Sequence, residues 1–345
     1  MGKVLDYKCP ACDAVLKFNP HGQNWKCEYC RNEYSLEDLK SQEVKLEREK
    51  EVPKQNLDNY NCPNCGASII ALDNTSTTTC PYCRNTTIMK DKLEGEFNPD
   101  LVIPFKYTKE DAIESFKKFH KGKILMPKAF NDKKNINEMT GIYIPFWLYD
   151  VEVDGDISAI CNRVTTYSDS EYIYTKTDTY KALRSGDVNF SKVPVDGATR
   201  FDDGIMNSIE PFDYKDLKEF SYSYLSGFLA DKYDVSKEDA YNVAKMRVDK
   251  SFENILRQDI KGYSSVIVKD RNIISNNTNS KYCLLPVWML NIKYKDKIYP
   301  FAMNGQTGKM IGDYPVDKKK AVLLGIGVFV LCMLISVLLF FIGVI

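Results

Sequence analysis

The most one-sided hydrophobic pattern lies at the end of the chain. Residues 321–345, AVLLGIGVFVLCMLISVLLFFIGVI, hold 25 positions without a charge. As a helix they would run about 37 Å, enough to cross a hydrocarbon core of about 30 Å with some tilt. A buried core helix is the alternative, and it needs a host domain on every side. Further in, periodicity alternates between strand and helix. Leu101-Val-Ile-Pro-Phe105 reads as a short strand. Thr108-Lys-Glu-Asp111 then opens a helix with the start of a capping box, carrying Ala112, Ile113, Phe116 and Phe119 on one face. Ile142 to Val151 reads as a strand, with Pro145 placing it at a sheet edge or a bulge.

The same grammar returns later. Ser236-Lys-Glu-Asp239-Ala240 matches Thr108 to Ala112 at an offset of 128, and Leu285-Pro286-Val-Trp288 to Ile292 matches Ile144-Pro145-Phe-Trp147 to Val151 at an offset of 141. The fold class expected is α+β: two N-terminal four-cysteine zinc ribbons, an internally duplicated α+β body over 97–316 and one C-terminal transmembrane helix over 321–345. Between the ribbons, 35–59 is a charged segment of alternating sign that reads as a helical linker ended by Pro53.

The ribbons rest on cysteine spacing. Cys9-Pro-Ala-Cys12 is followed after 14 residues by Cys27-Glu-Tyr-Cys30, and Cys62-Pro-Asn-Cys65 after 14 residues by Cys80-Pro-Tyr-Cys83. The arrays repeat at an offset of 53, and Tyr7/Tyr60, Arg31/Arg84 and Asn32/Asn85 coincide with them. Two residues between thiolates make a knuckle that presents both sulfurs to one metal, and two knuckles close a tetrahedral site of four thiolates. Ribbon 1 is expected over 1–34 and ribbon 2 over 60–92, with one Zn(2+) each, two per chain. The 14-residue spacers suit a hairpin between knuckles. In ribbon 2 the strands would be Ser68–Ala71 and Thr75–Thr79 around a turn at Asp73-Asn74. Iron in the same tetrathiolate and redox CxxC pairs are the chemical alternatives; a single shared spacing across all four pairs argues against redox. Modules this short lack a core of their own, so metal binding would supply much of their folding free energy.

Charge narrows the function. Lys+Arg and Asp+Glu are both 47, so the formal net charge is zero, unlike a nucleic-acid coat protein. Residues 1–35 hold five Lys/Arg against four Asp/Glu, and 60–92 three against two, so neither ribbon carries a basic stripe. Trp25 and Tyr29 could stack on bases, but packing over the knuckle is the simpler role. Lys318, Lys319 and Lys320 precede the apolar run, which predicts a single-pass cell-membrane protein with its N-terminal bulk in the cytoplasm. The start, MGKVLDYKCP, has no apolar region of a secretory signal.

Other candidates fail on their spacing. Gly305-Gln-Thr-Gly308-Lys309 lacks the following Ser/Thr of a phosphate loop and reads as a hairpin turn. Asp202-Asp203-Gly204, with Asp196, Glu210 and Asp213, does not have EF-hand spacing and reads as solvated turn acids. Cys161 and Cys283 are isolated and read as small core residues. With His21 and His120 the only histidines, no nucleophile, base and orienter can be assembled, so no catalytic residue and no enzymatic activity are expected.

The paired CPxC and CxYC knuckles, the phrases IPFWLYD and YLSGFLADKYDVS, and MNGQTGKMIGDYPVDKKK before an apolar tail resemble membrane-anchored double zinc-ribbon proteins of Firmicutes. These are often labelled transcription-factor-type zinc-ribbon proteins, or replication-restart helicases; the chain has no Walker motif to support the latter. Relatives are encoded beside phage-shock-type and SPFH-type membrane proteins. The resemblance implies a non-enzymatic adaptor that recruits or scaffolds such proteins at the cytoplasmic face of the bilayer, in envelope stress. Only Cys9, Cys12, Cys27, Cys30, Cys62, Cys65, Cys80 and Cys83 carry over as functional residues. A membrane-tethered nucleic-acid or transcription regulator is the competing expectation, which the charge pattern disfavours.

Overall fold

The structure is a computed structural model that describes residues 4–5, 7–40, 59–61, 68–70, 77–79, 86–89, 98–199, 201–295 and 297–342. In chain order, ribbon 1 contributes β1 (Val4–Leu5), β2 (Leu16–Asn19), β3 (Asn24–Cys27) and β4 (Glu33–Tyr34). A helix, α1, follows at 36–40. The next region contributes β5 (Asn59–Asn61), β6 (Ser68–Ile70), β7 (Thr77–Thr79) and β8 (Thr86–Met89). The body holds β9 (Leu101–Val102), α2 (Lys109–His120), α3 (Lys133–Asn137), β10 (Thr140–Ser168), β11 (Ile173–Asp196), α4 (Asp203–Ile209), β12 (Lys218–Glu219) and β13 (Leu229–Ala230). It continues with α5 (Lys237–Gln258), β14 (Ser265–Tyr294), β15 (Lys297–Asn304) and β16 (Met310–Gly312), and α6 spans Lys318–Ile342. The chain is thus mixed α+β with an N-terminal four-cysteine cluster and a C-terminal apolar helix.

The eight-stranded sheet of the body runs β11-β10-β14-β15-β16, with β9, β12 and β13 at its side. Its strands change character along their length. From Ile142 to Tyr149 both faces of β10 are buried: Ile142, Ile144, Phe146 and Leu148 pack towards α4, and Tyr143, Trp147 and Tyr149 towards the opposite core. A strand covered on both faces reads as a continuous apolar run, as IYIPFWLY does. Beyond Asp150 only one face is covered. Val151, Val153, Ile157, Ala159 and Cys161 lie under α5, whose buried residues Ala240, Ala244, Val248, Phe252 and Leu256 recur every fourth position. The other face is exposed and mixes charged side chains with apolar ones, Ile160, Leu183, Ile267 and Ile274 among them. The three long strands therefore leave the body as an arm, about 55 Å from Val151 to the hairpin at Ser168 at about 3.3 Å per residue, with β10 and β11 alone past Asn162.

One set of contacts recurs in both halves of the body. β9 pairs in parallel with β14 (Leu101 with Cys283) and β13 with β10 (Leu229 with Ile142). Gly197 N–H donates to Pro145 O, and Gly305 N–H to Pro286 O. Gly197 O accepts from Asp234 and Val235 N–H, and Gly305 O from Lys106 and Tyr107 N–H. Trp147 Nε1 donates to Val235 O and Trp288 Nε1 to Tyr107 O, both at 3.1 Å. Each of these carbonyls precedes the residue that caps a helix: Ser236 on α5 and Thr108 on α2. The prolines explain the pattern. An antiparallel hydrogen-bonded pair exchanges two bonds, and proline has no N–H to give. The glycine carbonyl opposite is left free, and the chain entering the other half's helix takes it.

Pro145 is consequently neither at an edge nor at a bulge, as its residue type implied. It lies in a central strand, paired with Leu284, and the register shift falls later, at Asp150/Val151. The expected hairpin of ribbon 2 also differs. The strands are β6 and β7, but β6 pairs with β5 and β7 with β8, which in turn pairs with β1; the turn at Asp73-Asn74 lies outside the described residues. The C-terminal helix starts at Lys318 instead of 321. The Asp317 carboxylate caps it through Lys319 N–H and Lys320 N–H, and Asp317 N–H is tied to Leu125 O at 2.8 Å. The linker is helical over 36–40, and 41–58 lie outside the described residues.

Candidate metal centre

Ribbon 1 brings its four cysteines together by repeating one backbone motif. Asp13 N–H donates to Cys9 O at 2.8 Å and Arg31 N–H to Cys27 O at 3.0 Å. Cys9 N–H reaches Ala14 O and Cys27 N–H reaches Asn32 O, at 2.7 and 2.9 Å. The residue after each knuckle adopts a left-handed conformation, φ 61° at Asp13 and 65° at Arg31, and this turns the chain back under the sulfurs. Between the knuckles β2 and β3 form the expected hairpin, pairing Leu16 with Cys27 and Phe18 with Trp25.

The Sγ atoms of Cys9, Cys12, Cys27 and Cys30 lie within 4.8 Å of one another. Cys9 and Cys30 are 3.4 Å apart, Cys12 and Cys27 3.5 Å. A disulfide would need about 2.05 Å. Four thiolates about 2.3 Å from one ion, at tetrahedral angles, would stand about 3.8 Å apart, so the cluster can hold a metal such as zinc. Cys9 and Cys27 are buried; Cys12 and Cys30 are half-buried. Burial pushes the Cys9 thiol up, but the Tyr34 hydroxyl and the backbone at Ala11 and Cys12 outweigh it and bring it down to about 6. Tyr34 Oη lies 3.2 Å from the sulfur. Thiolate is the form that binds metal.

The ribbon does not stand free. Trp25 is 1% exposed, and it packs against the body. Its ring contacts Phe18 and Tyr224 at 5.1 and 5.3 Å, and its Nε1 donates to Ser223 O at 2.7 Å. Phe18 N–H reaches Ser226 O, and Gln23 Nε2 reaches Phe105 O. His21 Nε2 meets Asp111 Oδ2 at 2.7 Å, the carboxylate that also closes the capping box of α2. Burial raises the Asp111 carboxyl, but bonds from Thr108 and then His21 hold it below its usual range. Three ribbon lysines are already paired: Lys8 with Asp13, Lys17 with Glu28 and Lys26 with Glu33. Tyr29 is 81% exposed.

The second array, Cys62, Cys65, Cys80 and Cys83, lies outside the described residues. Nearby, Thr77 is fully buried and its Oγ1 donates to Phe228 O, while the Phe228 ring faces Phe18. Gly305 to Gly308 form the turn between β15 and β16, and Cys161 and Cys283 are core residues, as read from sequence. The acids around Asp202 are not the solvated turn acids their spacing suggests. Asp202 caps α4, and Asp196 and Glu210 are mostly buried, each with a buried oxygen lacking a hydrogen-bond partner. Burial, then repulsion from Asp203 and Asp234, pushes Asp196 up to about 7.

Comparison with known proteins gives a relative across nearly the full length. The chain is 35% identical over 317 residues, 92% of each chain, to a protein of Bacillus subtilis (strain 168) named "Uncharacterized protein YdjG". The chain belongs to the YdjG family. No family model matches it. No solved structure matches it either.

Sequence reasoning missed the arm and its tip. Tyr167, Tyr172 and Ile173 are exposed there at 57%, 62% and 77%. Tyr167 stacks on Tyr174 at 5.3 Å, and Asp169 Oδ1 accepts from Glu171 and Tyr172 N–H, fixing the turn. The signal for it was the alternation from Val151 through Ala159, which continues the strand past Asp150.

Proposed function

We propose that this YdjG-family chain is a non-enzymatic adaptor held in the cell membrane by α6. In this reading its N-terminal bulk lies in the cytoplasm and recruits protein partners of the phage-shock or SPFH membrane-scaffold class, in envelope stress. Two zinc ribbons, the second held by Cys62, Cys65, Cys80 and Cys83, and a body duplicated about the Pro-x-Trp strands form its rigid part.

The arm is the observation that carries this reading. It leaves the body at the end opposite the start of α6 and exposes aromatic and aliphatic side chains at a turn fixed by hydrogen bonds. Exposed tyrosines on a rigid element suit a protein contact, since they offer large area at small entropic cost. The helix supports the anchor: over Lys318–Ser336 it is long and apolar enough to cross a membrane, and none of that stretch is buried. The ribbon supports the assignment to protein partners. Its aromatic face is occupied by the body, and three of its cations are paired with acids instead of free for phosphates.

Affinity purification from intact membranes tests this. Tyr167, Tyr172, Ile173 and Tyr174 are changed together to Ser in the full chain. The reading expects a reproducible membrane-scaffold partner of the wild type to be lost while the variant stays in the membrane. Identical partners from both chains, or nucleic acid recovered through the ribbon, would refute it.

A further inference from the structure

We propose that the base of the body is a cationic platform that rests on anionic lipid headgroups around the root of α6. This rests on the membrane-anchored reading above. Three segments distant in sequence, 121–134, 293–298 and 313–320, carry eleven lysines against four aspartates, in a chain whose total charge is zero. Two of those aspartates are occupied as helix caps: Asp132 on α3 and Asp317 on α6. Among the described residues no ion pair involves any of the eleven lysines, and nine of them are exposed, including Lys121, Lys128, Lys133, Lys295 and Lys297.

Contacts join the segments at one place. Asp317 N–H bonds to Leu125 O, and Lys320 Nζ bonds to Met126 O at 2.6 Å, so the helix root is fastened to the first segment. Phe130, in the same segment, packs on Tyr294 and Tyr299 at 5.9 and 5.5 Å, which fastens the turn between β14 and β15. Lys123 Nζ sits 3.7 Å over the Phe119 ring and 4.7 Å over that of Tyr314.

The patch is apolar as well as basic. Ile124, Ile298 and Val316 are 70%, 67% and 56% exposed, each beside one of these lysines or beside Asp317. Apolar side chains set among lysines suit the headgroup–acyl boundary, where the stem enters and the ammonium stays with the phosphate. The arm has a slight excess of the other sign, eight Asp/Glu against six Lys/Arg over 151–190 and 265–280. Glu152, Asp154, Asp156, Asp187 and Asp270 are exposed on the open face of the arm, which an anionic bilayer repels. The molecule is thus polarised along the sheet, with the cationic end where α6 departs. Platform and repulsion together stand the arm away from the membrane.

The test uses the full-length chain in nanodiscs of phosphatidylcholine, with or without phosphatidylglycerol. A water-soluble amine-acylating reagent is applied, and each lysine is followed by mass spectrometry. A surface potential of about −30 mV raises local proton activity about threefold and lowers the reactive amine fraction by the same factor. Lys128, Lys133, Lys134, Lys295 and Lys297 should therefore react about threefold more slowly or less in the anionic discs, with the difference removed by high salt. Lys181 and Lys269 on the arm should not change. Equal rates in both lipids, with the chain retained in the discs, would overturn the platform alone. A chain that does not stay in the discs would refute the anchor, and the platform with it.

Discussion

Asp196 occupies the place in the first half that Asn304 occupies in the second. Each pairs with the residue before a Pro-x-Trp tryptophan, Phe146 or Val287, and each precedes the glycine that bonds to the proline. Asn304 is neutral and fully buried. Asp196 is a carboxyl with one buried, unpartnered oxygen, raised from 3.8 to about 7 by burial and by Asp203 and Asp234. Replacing it with Asn should stabilise the fold as pH rises. The folded protein keeps the proton where the unfolded chain has lost it, so stability falls from about pH 4 to about pH 7 and is then level. Full ionisation at such a site costs about 4 kcal/mol. Between about pH 5 and about pH 8 the cost grows by about 3 kcal/mol, and partial solvent access reduces the expected change to about 1–3 kcal/mol. Asn does not titrate, so this change is independent of how its amide pairs. Urea unfolding of the full chain in detergent, followed by tryptophan fluorescence, measures it at the two pH values. A difference between Asp196→Asn and wild type that is the same at both would refute the raised carboxyl.

Trp25→Ala should lower stability by about 3–5 kcal/mol, since it opens a cavity between ribbon and body and strands Ser223 O; thermal unfolding would show it. Trp147→Phe and Trp288→Phe should each cost about 1 kcal/mol, and similar amounts, because each leaves one half-buried carbonyl, Val235 O or Tyr107 O, without its indole donor. Metal analysis of the full chain purified under reducing conditions should find two zinc ions, one after Cys12→Ser and one after Cys62→Ser. A single ion in the wild type, lost in Cys12→Ser and kept in Cys62→Ser, would confine the centre to Cys9, Cys12, Cys27 and Cys30. Removing that ion with a chelator should lower the unfolding midpoint as Trp25→Ala does.

The cysteine cluster was legible because ligand spacing is a local property: two residues within a knuckle and 14 between knuckles suffice to close Cys9, Cys12, Cys27 and Cys30. The caps at Thr108 and Ser236 were legible for the same reason. The setting of Pro145 was not, because its missing N–H is offset by Gly197, 52 positions on, and by the chain before Ser236. The arm beyond Asp150 alternates with charges on its open face, so it reads as soluble strand or loop until α5 is placed over its other face. Asp196 and Glu210 look solvated in sequence because burial there is imposed by α4 and by the second half of the body. The basic base of the molecule is spread over three segments and disappears into a net charge of zero.

The proposed contact between the arm tip and a protein at the membrane can be captured directly. A photoreactive side chain placed at Tyr172, and in a parallel chain at Tyr29 on the ribbon, reports it in living cells. A discrete protein adduct from position 172 is expected in the membrane fraction. Absence of that adduct, with nucleic acid captured from position 29, would contradict it.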